Sequence, residues 1–163
     1  MNIIIKKHYL LYQGYKLKCS IGKSGLTNSK KEGDLATPKG LFKLGLLYYR
    51  KDRIKLSRCR IKKKIIKKEM GWCDDHRSKK YNKEISFPFK YGSERLYRSD
   101  KIYDILINIK YNYFPVIKKK GSAIFLHLCS KKYEPTNGCI ALQKKDFLKI
   151  LPLINKKTKI LIK

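Results

Sequence analysis

Two stretches, Ile124-Phe125-Leu126-His127-Leu128-Cys129 and Pro135-Thr136-Asn137-Gly138-Cys139-Ile140-Ala141-Leu142, decide how this chain is read. The first is an apolar run ended by a histidine. With Ser122 and Ala123 it predicts a strand over Ser122 to Leu128, apolar enough to be buried on both faces. The second opens another strand with a cysteine directly after a glycine. A thiol becomes a strong nucleophile only as thiolate and needs a base such as imidazole to take its proton. His127 and Cys139 are 139 − 127 = 12 residues apart. Adjacent strands joined by the polar loop Ser130 to Asn137 would bring them to one sheet edge. Gly138 would let a substrate carbonyl approach, and the Gly138 and Cys139 N–H groups would bind its oxyanion, with Asn137 beside them. The same spacing also suits a hydrogen-bonded core histidine and a small buried cysteine, and spacing alone does not choose.

Outward from this pair, short β-branched and aromatic segments alternate with Gly, Pro, Asn and Asp. They predict strands over Asn2 to Ile5, Tyr9 to Tyr12, Lys16 to Ile21, Leu41 to Tyr49 and Tyr103 to Ile109, with a closing strand over Lys159 to Ile162. After Leu142, Phe147, Ile150, Leu151 and Ile154 recur at helical spacing, and Pro152 is expected to distort the last turn. Two stretches, Gly22 to Gly40 and Gly71 to Asp100, read as long irregular loops of the kind that carry function. The basic run Arg58 to Lys68 reads as an exposed strand or hairpin with its lysines in water. The fold class is mainly β, a sandwich or barrel-like sheet with one or two short helices. No repeat or linker divides residues 1–163, so one domain is expected, as a monomer.

A hydrophobic content of 42% and an aromatic content of 12% argue against disorder despite the charge. That charge is extreme, 41 Lys plus Arg against 12 Asp plus Glu, or +29. Nucleic acid, anionic lipid or an acidic polymer would all be drawn to it, in a salt-sensitive way. The N-terminal run Ile3-Ile4-Ile5 is too short for a signal core and is followed at once by Lys6-Lys7. No export signal is visible, so a cytoplasmic location stays open, and no run of roughly 20 apolar residues predicts a transmembrane segment. Five irregularly spaced cysteines suggest reduced thiols rather than a disulfide framework.

The two opening stretches resemble the catalytic segment of the YkuD-like L,D-transpeptidase family. The resemblance extends through Gly22-Lys23-Ser24-Gly25, Lys31-Glu32-Gly33-Asp34-Leu35-Ala36-Thr37-Pro38-Lys39-Gly40-Leu41-Phe42, Gly71-Trp72-Cys73-Asp74-Asp75, Tyr81-Asn82, Ser93-Glu94-Arg95-Leu96-Tyr97-Arg98 and Tyr103-Asp104. These look like the short stand-alone branch of that family and cover nearly the whole chain. The resemblance implies a mainly β fold, Cys139 as nucleophile, His127 as its base and no metal or organic cofactor. It implies peptidoglycan stem peptides as substrate, in the periplasm or cell wall, with crosslinking, D-amino-acid exchange or carboxypeptidase products according to the acceptor. The better-studied branch has His before the Gly-Cys pair and Arg after Cys-Ile; here Asn137 and Ala141 stand there, which alters the anion contacts beside the nucleophile.

Thr136, Arg98, Tyr103 and Asp74 are candidate substrate contacts. Cys129, two residues after His127, points the same way on a regular strand and is a rival nucleophile. Two other function classes are weighed. Cys73-Asp74-Asp75-His76 together with His127-Leu128-Cys129 offers two Cys and two His for zinc, although His-x-Cys is tight. The net charge suggests a nucleic-acid or other polyanion binder, without a recognisable nucleic-acid motif to support it.

Overall fold

Alternating burial organises the computed structural model, which describes every residue except Ser57 and Lys131. In chain order the strands are β1 (Ile3–Lys6), β2 (Tyr9–Tyr12), β3 (Tyr15–Lys18), β4 (Leu26–Thr27), β5 (Thr37–Pro38), β6 (Gly40–Tyr49), β7 (Lys63–Ile65), β8 (Met70–Cys73), β9 (Glu84–Ser86), β10 (Ser93–Arg95), β11 (Ile105–Ile109), β12 (Phe125–Leu128), β13 (Ile140–Leu142) and β14 (Lys159–Ile162). The helix α1 (Lys144–Ile150) runs into a 3-10 turn, Leu151–Leu153. Pro152 lies in that turn's first positions, and its missing N–H ends the α-helical ladder there as expected. Phe147, Ile150, Leu151 and Ile154 are all buried against the sheet.

The main sheet runs β13-β12-β11-β6-β14-β1-β2-β3, with β7 paired to β6 off this path. Its two ends meet. Past β3, Ser20 N–H donates to Ala141 O (2.9 Å) and Ala141 N–H donates to Ser20 O (3.0 Å), so the strand that follows Cys139 is held on both edges. The result is a nearly closed barrel-like sheet, the mainly β architecture read from the sequence. The β2–β3 hairpin turns on Gln13 and Gly14, both at positive φ (49° and 79°), as a two-residue turn between twisted strands requires.

Strands β11, β12 and β13 are buried on both faces, and period-two alternation sorts their residues into two cores. Ile105, Ile107, Leu126, Leu128, Ile140 and Leu142 face the larger core, with α1 over it. Leu106, Phe125 and Cys139 face a second core with Tyr48, Trp72, Leu96 and Tyr103. Phe125 anchors this second core, edge-on to both Trp72 (5.2 Å between centroids) and Tyr103 (5.8 Å).

Three sequence expectations change in detail. The stretch Gly71 to Asp100 is not irregular: it carries a three-stranded sheet, β10-β8-β9, which covers the second core. Gly22 to Gly40 contains the short parallel pair β4-β5. Neither reads as strand in sequence because each element is two to four residues long, too short for alternation to register. The strand expected from Ser122 starts only at Phe125, since Ala123 sits at φ 52° and breaks the extended run. Within the basic run Arg58 to Lys68, β7 is exposed along its length, an edge strand with its lysines in water. Lys131, in the expected loop Ser130 to Asn137, lies outside the described residues.

Candidate active site

Parallel pairing of β12 with β13 sets the geometry. Leu126 pairs with Ile140 and His127 with Ala141, so Cys139 is level with Phe125. Paired residues of parallel strands point to the same face. His127 and Cys139 therefore share a face, one strand and two residues apart, a diagonal of roughly 8 Å between Cα atoms from standard strand spacings. Both line a cavity of about 640 Å³. The direct hydrogen bond needed between base and thiol is not formed in this resting geometry. Cys139 Sγ instead donates to Ala123 O (3.1 Å) and accepts from Phe125 N–H (3.3 Å). The kink at Ala123 that ends the strand early is what turns its carbonyl to the thiol.

His127 is 6% exposed, and its Nδ1 lies 2.8 Å from Leu128 O. A carbonyl only accepts, so Nδ1 carries the proton and Nε2 keeps its lone pair. Nε2 has no hydrogen-bond partner among the described residues. Tyr103 packs edge-on to the imidazole, 5.2 Å between centroids, and limits its rotation. Burial holds the His127 pKa down to about 4 and pushes the Cys139 thiol up to about 12, the latter with help from the Glu94 carboxylate. At neutral pH the pair is thus a neutral imidazole and a thiol, not an ion pair.

The turn before Cys139 is tightly braced. Thr136 Oγ1 donates to Cys139 O (2.6 Å) and accepts from Gly138 N–H (3.1 Å). Thr136 N–H bonds Ile21 O and its carbonyl accepts from Lys23 N–H, both at 2.9 Å. Thr136 thereby braces the turn, and it too lines the cavity. The Gly138 N–H is committed to Thr136, while Cys139 N–H has no acceptor among the described residues. Gly138 has φ 133°, and a Cβ there would stand 2.9 Å from Ala36 O, so only glycine fits. Asn137 is exposed on the cavity rim.

Arg98, Tyr103 and Asp74 also line the cavity. The Arg98 guanidinium is forked onto Asp100 (Nε 3.0 Å, Nη2 2.5 Å), and its Nη1 is 3.8 Å from Glu94. Tyr103 is buried, with its hydroxyl donating to Glu94 Oε1 (2.8 Å). Both are committed internally, whereas Asp74 has no cation partner among the described residues. Cys129 also faces the cavity, its thiol pushed up to about 11 by burial. The four zinc candidates do not assemble: no group of three or more His, Cys, Asp or Glu among the described residues is arranged to hold a metal ion. Cys73 Sγ bonds Asp75 O (3.7 Å), and Asp75 pairs with Arg77 (2.6 Å).

Three residues not singled out for the site in sequence matter here. Asn82 Oδ1 accepts from Trp72 Nε1 and from Ala123 N–H, both at 3.0 Å, and its Nδ2 donates to Tyr111 O (3.1 Å) and Asn112 O (2.7 Å). It fixes the turn whose carbonyl holds the thiol. Glu32 Oε2 accepts from Ser122 Oγ (2.8 Å) and from the Tyr81 hydroxyl, and Glu94 receives Tyr103; both carboxylates line the cavity. Only their membership of the motifs Lys31 to Phe42, Tyr81-Asn82 and Ser93 to Arg98 marked these positions, because their partners are 9 to 90 residues away in sequence.

Among known proteins, the family model for the L,D-transpeptidase catalytic domain (YkuD) matches residues 3–162. No curated protein and no solved structure gives a significant match.

Proposed function

The chain belongs to the YkuD family of L,D-transpeptidase catalytic domains, and from that premise we propose that it is a cysteine acyltransferase acting on peptidoglycan stem peptides through an acyl-enzyme on Cys139. The observation that carries this reading is the placement of the Cys139 thiol and a His127 imidazole with a free Nε2 on one face of one cavity. Residues 1–163 would act as one catalytic domain and as a monomer.

In the first step Sγ leaves the Ala123 carbonyl and gives its proton to His127 Nε2. Phe125 N–H, 3.3 Å from the sulfur, favours the thiolate that results. Attack on the amide carbonyl puts charge on its oxygen, which Cys139 N–H meets. His127 returns the proton to the departing amine, and the terminal D-amino acid leaves a thioester behind. An amine from a second stem then attacks the thioester and loses a proton to His127, giving a crosslink. A free D-amino acid gives exchange, and water gives carboxypeptidase activity. Stem peptides carry carboxylates, so the basic surface would speed their encounter. On this reading the enzyme acts where such peptides lie, in the periplasm or cell wall. The polyanion-binding alternative draws on net charge alone.

The test incubates wild type and Cys139→Ala with isolated muropeptides and a free D-amino acid, following adduct mass and exchange. A thioester adduct on Cys139 and exchange in wild type alone are expected. A folded, reduced wild type that forms neither refutes the assignment.

A further inference from the structure

The outer face of the main sheet is built from two kinds of residue. In β1, β2, β3 and β14 the residues that alternate inward, among them Ile3, Leu10, Leu17 and Ile160, fill the larger core. Their neighbours therefore point outward. Register lines Leu41, Leu161, Ile4 and Leu11 into one apolar row across the adjacent strands β6, β14, β1 and β2. Lysines surround the row. Lys43 pairs with Lys159 along one side, Lys16 stands opposite Leu11 at the far end, and Lys6 and Lys18 bracket Tyr9 along the other side. Outward positions of an exposed sheet face are ordinarily polar, yet no serine, threonine, amide or carboxylate stands among these ten residues. Beyond Leu41, itself 50% exposed, the surface continues into the loop between β11 and β12, whose Phe114 and Ile117 share a cleft with Leu41 and Lys43. Phe114 is 94% exposed and Ile117 54%, so neither has a place in a core. Lys118, Lys119 and Lys120 follow, all exposed. From Leu35 to Lys51 and from Ile105 to Tyr133 the sequence holds no Asp or Glu. Glu32, whose N–H donates to Lys119 O, turns its side chain to Tyr81 and Ser122, and Asp34 pairs with Lys30.

We propose that this face, the apolar row with the Phe114 loop beside it, docks on the surface of an anionic lipid bilayer. Phe114, Ile117 and Leu41 enter the boundary between headgroups and acyl chains. The lysines lay their stems along the row and place their ammonium groups among the headgroup phosphates. The combination selects this occupant. A second copy of the chain would bring lysine against lysine with no carboxylate between them. A nucleic acid would meet the lysines but leave the apolar row uncovered. Strands β1, β2, β3 and β14 have 4 residues each, against roughly 9 to 11 in a strand that spans a bilayer, so the face lies on the membrane and does not cross it. None of these residues lines the Cys139 cavity, so the inference stands independently of the acyl-enzyme reading.

The test measures co-sedimentation of the full chain with phosphatidylcholine vesicles carrying about 30 mol% phosphatidylglycerol, at about 0.15 and about 0.5 M salt. Net charge alone would bind such vesicles at the lower salt and release them at the higher, so the apolar contribution is read at the higher. The combined changes Leu41→Ser, Phe114→Ser and Ile117→Ser leave the charge unchanged and are expected to lower the high-salt partition coefficient about tenfold. Phe114→Trp puts a reporter at the exposed tip, while Trp72 stays buried in the second core. Its emission should shift to the blue on vesicles and be quenched by brominated acyl chains. Equal high-salt partitioning of wild type and the serine variant, no binding by wild type at high salt, or no blue shift with Phe114→Trp overturns the proposal. Oligonucleotide binding that Phe114→Ser weakens while vesicle binding is unchanged would assign the face to a nucleic acid instead, and self-association that the serine changes abolish would assign it to a second copy. If the triple variant does not fold, Phe114→Ser alone and the Phe114→Trp reporter still decide, because a side chain 94% exposed contributes little to the fold.

Discussion

Replacing Asn82 with Ala tests how the thiol is held. Asn82 is 5% exposed and makes four hydrogen bonds from one side chain, at a backbone φ of 55° that asparagine tolerates and alanine resists. Truncation leaves the Trp72 indole N–H and the Ala123 N–H as buried donors without acceptors, at about 1 to 3 kcal/mol each. The left-handed backbone adds roughly 1 kcal/mol. A loss of about 3 to 7 kcal/mol is expected, a large share of the roughly 5 to 15 kcal/mol by which domains of this kind are stable. Trp72 is the chain's one tryptophan and one of the two donors, so its fluorescence reports the transition directly in a urea titration. Asn82→Asp keeps the Oδ1 acceptor and tolerates the backbone, and should fall between the two. Because Ala123 O also accepts the Cys139 thiol, alkylation of Cys139 should change along with stability. A stability loss under 1 kcal/mol, with unchanged Cys139 alkylation, would refute the assignment of Asn82 as the brace.

Two further predictions concern the catalytic strands. The folded pKa of His127 is depressed from 6.5 to about 4, so the stability it contributes is fully present above pH 6.5 and lost as pH falls toward 4. Wild type should lose about 3 kcal/mol across that window, and His127→Gln should not; parallel acid profiles would show that burial does not govern this imidazole. Gly138→Ala should destabilise by about 2 to 4 kcal/mol, from the φ of 133° and the Cβ contact with Ala36 O, and should slow Cys139 acylation through displacement of the turn. Wild-type behaviour in both thermal unfolding and acylation rate would contradict the close approach.

Much of the architecture is legible in the sequence because the hydropathy of a short segment is a local signal. Ile105 to Ile109 and Phe125 to Leu128 announce themselves as apolar runs, and Pro152 ends the helix through its own missing N–H. The proposed nucleophile and base stand out in the sequence for a similar reason: each ends or opens such a run, and the flanking motif resembles the family's. What only the tertiary structure decided is the relation between distant segments. It set β12 and β13 parallel, so the pair shares a face without a resting hydrogen bond. It gave the thiol to Ala123 and Phe125, and the Gly138 N–H to Thr136. It also gathered Glu32, Asp74 and Glu94 from three separate segments into one cavity. The hydropathy of a strand depends on neighbours one or two residues apart, while these contacts join segments far apart in the chain. A field built by charges 20 to 62 residues apart in sequence has no local pattern to betray it, since only folding brings them within Coulombic reach.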